Sequence, residues 1–304
     1  MSSFLHAIVE SFYHLFVIKC TTIAAVTVVT WDYFLTLQGE VDLIWRSRWN
    51  LSKFLFVLNR YLAFVDPLML VYVLFFADDD PRACEVTFRT LGYIATVGFI
   101  IGQCILILRA FAVWGSHLNK FFACLFSLFF CTFGLAIWVN SIYFSGITST
   151  GNPVRGMKGC AFVFANRLEW VDLFLVAFVE FISTILLMVK AFQHFRLTRR
   201  SLMTTIYNDG LLYFSCILAT TIANLFVVFT APAQLNNFLI VVQRVLHSVL
   251  CNRVVLHIRE AYHAQTDVLL DGFTLSVMEA APMEVVHMEK RSFSFSLVSS
   301  EEAC

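Results

Sequence analysis

Residues 31–61 read WDYFLTLQGEVDLIWRSRWNLSKFLFVLNRY, and they leave the chain few ways to fold. One apolar run ends at Trp31 to Leu37, and a second opens at Leu51 and continues to Phe76. Between them lie a short polar stretch, Gln38 to Asp42, and a segment with both Trp and Arg, Leu43 to Asn50. Apolar runs of ~20 residues cross the ~30 Å hydrocarbon layer as helices, because lipid offers the backbone amides no partner. The spacing therefore predicts two membrane helices joined by a turn on the membrane surface. Trp45 and Trp49 suit the headgroup layer, where a ring has one apolar side and one wet end. Arg46, Arg48 and Lys53 suit the cytoplasmic side of that layer.

The rest of the chain repeats the pattern. It is 59 % hydrophobic and 14 % charged, where a soluble domain carries roughly a quarter charged residues. The apolar runs predict helices over residues 16–37, 52–76, 90–113, 121–144, 168–191, 210–230 and 236–258. The fold class is thus all-α integral membrane, a seven-transmembrane-helix bundle. Pro67 should kink the second helix. Arg244 and His247 fall inside the seventh run, making it the least uniform. Residues 1–15 read as a short extracellular tail with His6 and His14. They carry no basic n-region and no small-residue cleavage site, so the first helix is expected to remain as an anchor. Residues 16–260 form the membrane domain, and residues 261–304, with Ser-rich and acidic stretches, a disordered cytoplasmic tail. Lys and Arg favour the side that holds Arg46, Arg48, Lys53, Arg109, Lys120, Lys190, Arg196, Arg199, Arg200, Arg253 and Arg259. That side should be cytoplasmic, placing the N-terminus outside, with the plasma membrane as the expected location. The sequon Asn50-Leu51-Ser52 then lies in the cytoplasm and should carry no glycan. Formal net charge is zero, which gives no case for a nucleic-acid partner.

The 31–61 stretch also carries a family resemblance. Its aromatic-Asp-aromatic start, Leu-Thr step, acidic residue, aromatic-Arg/Lys cluster and closing Asn-Arg-Tyr resemble the signature of seven-helix membrane proteins of mushroom-forming fungi, the domain of unknown function 6533. Residues 108–115, LRAFAVWG, are similar to the stretch that ends the third helix in that family, with Phe111 where Tyr is usual. The resemblance implies a membrane fold and no particular activity.

Ionisable groups at bilayer depth mark candidate sites, since each costs roughly 3 kcal/mol on insertion scales unless it pairs or meets water. Asp32 and Arg60 lie at similar depth on the two helices of the hairpin, which predicts an ion pair that clamps them. Asp66 precedes the proline and could neutralise Arg244 if the second and seventh helices touch. The seventh helix has a polar face at helical spacing: Asn237, Arg244, His247, Ser248 and Cys251. Glu180, midway along the fifth helix, has no evident partner and is expected to face a wet cavity. Asp66, Glu180, Arg244, His247 and Ser248 are the candidates for a ligand pocket or ion path, against a purely structural reading of the same residues. Cys84 and Cys160 both fall on the outer side. They form either a disulfide, placed as in many seven-helix receptors, or two free thiols in loops.

Known chemistries find little support. No Lys lies within the seventh helix to hold retinal. His247 and His257 are too few for a zinc shell, and no nucleophile elbow, phosphate loop or dinucleotide fingerprint is present. No cofactor, metal or catalytic residue is expected, and no enzyme activity. Arg109 sits at the inner end of the third helix, where many seven-helix receptors keep an Arg, but Leu108 precedes it rather than an acid. The reading that follows is a receptor-like sensor coupling a small ligand to cytoplasmic partners, with Arg109, Arg196, Arg199 and Arg200 as the coupling set. Those arginines could instead meet anionic lipid of the surrounding bilayer. A transporter or channel using the intramembrane charges is the alternative, and a membrane enzyme the third.

Overall fold

A computed structural model describes residues 2–77, 80–114, 119–149, 159–160, 162–166, 168–197, 201–230 and 238–280. Two compact units emerge, Met1–His257 and Ile258–Cys304. Seven helices among the described residues are long and apolar enough to cross a membrane. They are α1 (Ser2–Glu40), α2 (Leu51–Val71), α3 (Pro81–Trp114), α4 (Asn119–Ser145), α5 (Glu169–Leu197), α6 (Ser201–Thr230) and α7 (Phe238–Ala280). Phe16, Trp31, Phe34, Phe130, Trp138 and Phe226 are among the large apolar side chains left on the surface, as lipid-facing residues must be.

Several boundaries differ from the sequence reading. Residues 2–15, expected as a tail, are already helical. They contain neither Pro nor Gly, so nothing stops the helix there. Residues 261–280, expected in a disordered tail, continue α7. They too lack Pro, and Leu, Ala, Met and Gln favour helix. Residues 281–304 lie outside the described set. The turn after α1 also comes later than expected. Helix persists through Glu40 and one π-helical turn follows, Val41–Trp45. The reversal itself occupies residues 46–50.

That reversal is held by Lys53. Asn50 caps α2 by accepting from the Lys53 amide at 2.8 Å. The Lys53 ammonium donates to the carbonyls of Ser47 (2.8 Å) and Trp45 (3.2 Å) and sits 4.6 Å from the Trp49 ring centre. Lys53 is therefore buried, not a free basic group on the surface. Further along α2, Pro67 removes one amide donor, and a second π-helical turn, Tyr72–Phe76, follows.

Two short strands between α4 and α5 lie at the opposite end of the bundle. Strands β1 (Ile147–Ser149) and β2 (Phe162–Phe164) pair antiparallel, with Ile147 opposite Phe164. They lie on α3, where Arg89 donates to the Ile147 carbonyl (3.0 Å) and Glu85 accepts from the Ser149 amide (2.9 Å). Cys84 and Cys160 form a disulfide here. Gly159 has φ of +108°, and a side chain at that position would run into the Leu74 carbonyl. Its amide and that of Cys160 donate to Ala77 and Val73, so the segment is pinned to the end of α2 as well.

Candidate functional site

Two clusters of buried charge occupy the interior. The first lies at the hairpin end. Arg60 on α2 places Nη1 3.3 Å from Asp32 Oδ2 and Nε 2.9 Å from Glu40 Oε2, both on α1. Its Nη2 donates to Thr36 Oγ1 at 2.6 Å and to the Tyr33 carbonyl at 3.2 Å. Arg253 of α7 donates to Asp32 Oδ1 at 2.7 Å. Trp45 donates to Glu40 at 3.2 Å, and Tyr61 reaches the same oxygen at 3.5 Å. Two carboxylates thus meet two guanidiniums. Glu40 is fully buried here, although the sequence placed it in a surface turn. The reason is reach: Arg60 is long enough to neutralise an acid two turns beyond Asp32 on the same helix face.

The second cluster sits in the middle of the bundle. Arg244 on α7 is 1 % exposed and places Nε 3.1 Å from Asp66 Oδ2 on α2. Its Nη1 donates to Asn59 Oδ1 at 3.4 Å. Ser248 donates to the Asn59 carbonyl at 2.9 Å, and Asn59 donates to Asn252 at 3.0 Å. One turn away, His247 Nε2 lies 3.4 Å from Glu180 Oε1 of α5. Gln103 of α3 joins them, donating to Glu180 at 3.2 Å with its amide nitrogen 3.3 Å from His247 Nε2. Cys251 Sγ lies 3.8 Å from His247 Nδ1. Glu180 is therefore not alone before a wet cavity; the Gln103 amide and the His247 ring face it.

The backbone of α3 makes room for this. A Cβ at Gly98 would overlap the Arg244 guanidinium, and one at Gly102 would overlap the His247 ring. The two glycines are four residues apart on one face of α3, and their guests three apart on α7. Beside Arg244 on α7, Gln243 donates to Thr221 of α6 at 2.9 Å and accepts from Asn224. At the hairpin end Arg109 donates to the Val254 carbonyl at 3.0 Å, joining α3 to α7. Ion pairs, amides or hydroxyls thus link α7 to α1, α2, α3, α5 and α6.

The five sequence-derived candidates, Asp66, Glu180, Arg244, His247 and Ser248, all lie in this one cluster, and the structure pairs Asp32 with Arg60 as well. Asn237, Arg199 and Arg200 fall outside the described residues, and of Arg196 only its place in α5 is described. Sequence reasoning missed Asn59, Gln103, Gly98, Gly102, Glu40 and Arg253. The amides were detectable in principle as hydrogen-bonding groups within apolar helices. Among the described residues, no three His, Cys, Asp or Glu side chains converge as metal ligands do.

The class defined by this architecture is a multi-pass helical membrane protein with a charged, internally paired interior. The model of a family of unknown function, DUF6533, matches residues 20–65. That segment holds Asp32, Thr36, Glu40, Trp45, Lys53, Asn59, Arg60 and Tyr61, so the matched part of the chain coincides with the hairpin and its ionic clamp. No curated protein matches the chain.

Proposed function

We propose that the protein is a receptor-like sensor of the plasma membrane, of the kind found in mushroom-forming fungi, with its N-terminus outside and the hairpin end facing the cytoplasm. A small molecule shifts the bundle, and the hairpin end reports the shift to a cytoplasmic protein. The observation that carries this reading is the position of α7. Its polar face is bonded to α2 through Arg244 and Ser248, to α5 and α3 through His247, and to α1 through Arg253. Displacing one helix changes partners on all the others, which is how packed bundles turn small shifts into discrete ones. The Arg109–Val254 bond lies along this route at the hairpin end.

Transport is the second reading, favoured by the partnerless carboxylate oxygens Asp66 Oδ1 and Glu180 Oε2 in the interior. One experiment separates the two. Spin labels on the exposed positions Ala112 of α3 and Leu212 of α6 report the separation of these helices in a chain freed of its other unbridged cysteines. In Arg244→Gln the distance distribution should shift or gain a second population, while proteoliposomes show no proton or ion flux. An unchanged distribution, together with flux that Asp66→Asn abolishes, would replace the sensor with a transporter.

A further inference from the structure

A cleft lies between α3, α4 and α5, beside the central cluster. Its free volume is about 20 Å³, enough for one water- or ammonium-sized group. Four polar side chains line it, Thr96, Gln103, Thr132 and Asp172, and the remaining wall is apolar and includes Phe99 and Phe133.

The chemistry of those four groups is one-sided. Thr96 has committed its hydroxyl proton to the Gly92 carbonyl at 2.9 Å, and Thr132 to that of Phe129 at 2.8 Å. Each therefore offers the cleft only oxygen lone pairs. Gln103 is 2 % exposed, and its amide nitrogen is turned to Glu180 and His247. Its Oε1 is buried without a hydrogen-bond partner, and is the end left for a guest in the cleft. Asp172 is an acid within a membrane-length helix, and no cation pairs with it among the described residues. The side chain beside it is the neutral amide of Asn140. The nearby charge of Arg244, 5.7 Å from the Phe99 ring centre, is already matched by Asp66. The polar lining is thus acceptors only, with one unneutralised acid, set in an aromatic and aliphatic wall. A half-buried carboxylate in such surroundings is stabilised by a guest that brings positive charge and N–H donors. Aromatic faces suit the same charge.

We propose that this cleft is a binding site for the ammonium head of a small lipophilic amine, with Asp172 as counter-ion and the Gln103 carbonyl, Thr96 and Thr132 as further acceptors. This rests on the sensor reading, for which it names the ligand class. Gln103 also gives the site a route to α7, because the amide whose oxygen meets the guest holds Glu180 and His247 through its nitrogen.

The test uses the full chain in lipid nanodiscs, with octylammonium as probe and 1-octanol as the uncharged control. Thermal unfolding followed by tryptophan fluorescence should show a saturable rise in midpoint with octylammonium and none with 1-octanol. Asp172→Asn should weaken the apparent affinity about tenfold or more, as loss of a charged hydrogen-bond partner does. Thr132→Val, which keeps the charge, should weaken it less. An equal effect of 1-octanol, or full retention in Asp172→Asn, overturns the site. A sodium-chloride response matching octylammonium, absent with choline chloride and lost in Asp172→Asn, overturns the organic ligand in favour of an inorganic cation. The Ala112–Leu212 distance keeps the two proposals separable. Asp172-dependent binding without any change in distance leaves the site standing and removes the sensor reading.

Discussion

The two ionic clusters share α2 and α7, yet they are finished differently. At the hairpin end all four carboxylate oxygens of Asp32 and Glu40 meet a hydrogen-bond or ion-pair partner: Arg253 and Arg60 on the first acid, Trp45, Tyr61 and Arg60 on the second, with Glu40 Oε2 and Arg60 Nε held by charge alone, without a hydrogen bond. In the central cluster the ion pairs fall on Asp66 Oδ2 and Glu180 Oε1, and the second oxygen of each acid, Asp66 Oδ1 and Glu180 Oε2, has no hydrogen-bond partner. Chain separation differs too. Asp32 and Arg60 are 28 residues apart, whereas Gln103 and His247 are 144 apart. Apart from Arg253, the hairpin cluster forms once α1 and α2 pair, and its acids, contacted at both oxygens, hold those helices in one arrangement. The central cluster needs most of the bundle in place and keeps unused bonding capacity. The lesson is that buried charge alone does not mark a working site; a cation or donor on each carboxylate oxygen makes a clamp, and an acid with one oxygen left over lies in a region able to change partners.

This contrast can be broken most directly at the arginines. Arg60→Met leaves buried Glu40 with no cation and Asp32 with Arg253 alone, and should cost about 3–5 kcal/mol of unfolding free energy, measured by denaturant titration in mixed micelles. Arg244→Met strands only Asp66 and should cost less; a larger loss there would reverse the ranking of the two clusters. A smaller effect tests the room that α3 provides. Gly98→Ala should cost about 1–3 kcal/mol by overpacking. Combining it with Arg244→Ala should be markedly less than additive, since the clash disappears with the guanidinium. Additive losses would mean that Gly98 matters for some reason other than Arg244. The smallest effect is expected at Glu180→Gln, about 0.6 kcal/mol, typical of one interhelical hydrogen bond in a membrane. The amide can still accept from Gln103 and remain beside His247. Glu40→Gln, measured in parallel, should cost more, because Arg60 then loses an ionic partner. Equal losses would erase the distinction between clamp and adaptable core.

Much of this was legible in the sequence, for physical reasons. Helices of membrane length announce themselves as apolar runs, so all seven were located and only their ends misplaced. The ends were missed because α1 and α7 continue through polar residues with no Pro to stop them, and Gly39 and Gly272 are accommodated within the helices. Asp32 and Arg60 could be paired by depth alone, since a hairpin fixes which helices are neighbours. Asp66 and Arg244 needed the added condition that α2 meets α7, which hydropathy does not supply. Glu40 was misread because an acid beside Gly39 resembles a turn, and its partner lies 20 residues on. Gln103 and Asn59 carry no charge to flag their depth. Gly98 and Gly102 look like any glycines in a membrane helix, where glycine is common. The cleft at Asp172 depends on which hydroxyl protons are already spent, and only the folded arrangement reveals that.

The paired vacancies on α3 limit how the bundle can move. Arg244 and His247 enter them as two keys enter a keyway, and the slots exist at only one angular setting of α3. Turning α3 about its axis would bring Val97, Phe99 or Ile101 against side chains that now meet bare backbone. Tilting α3, or drawing it away from α7, meets no such obstacle. If the interior changes state, its gears are cut for rocking, not for rotation.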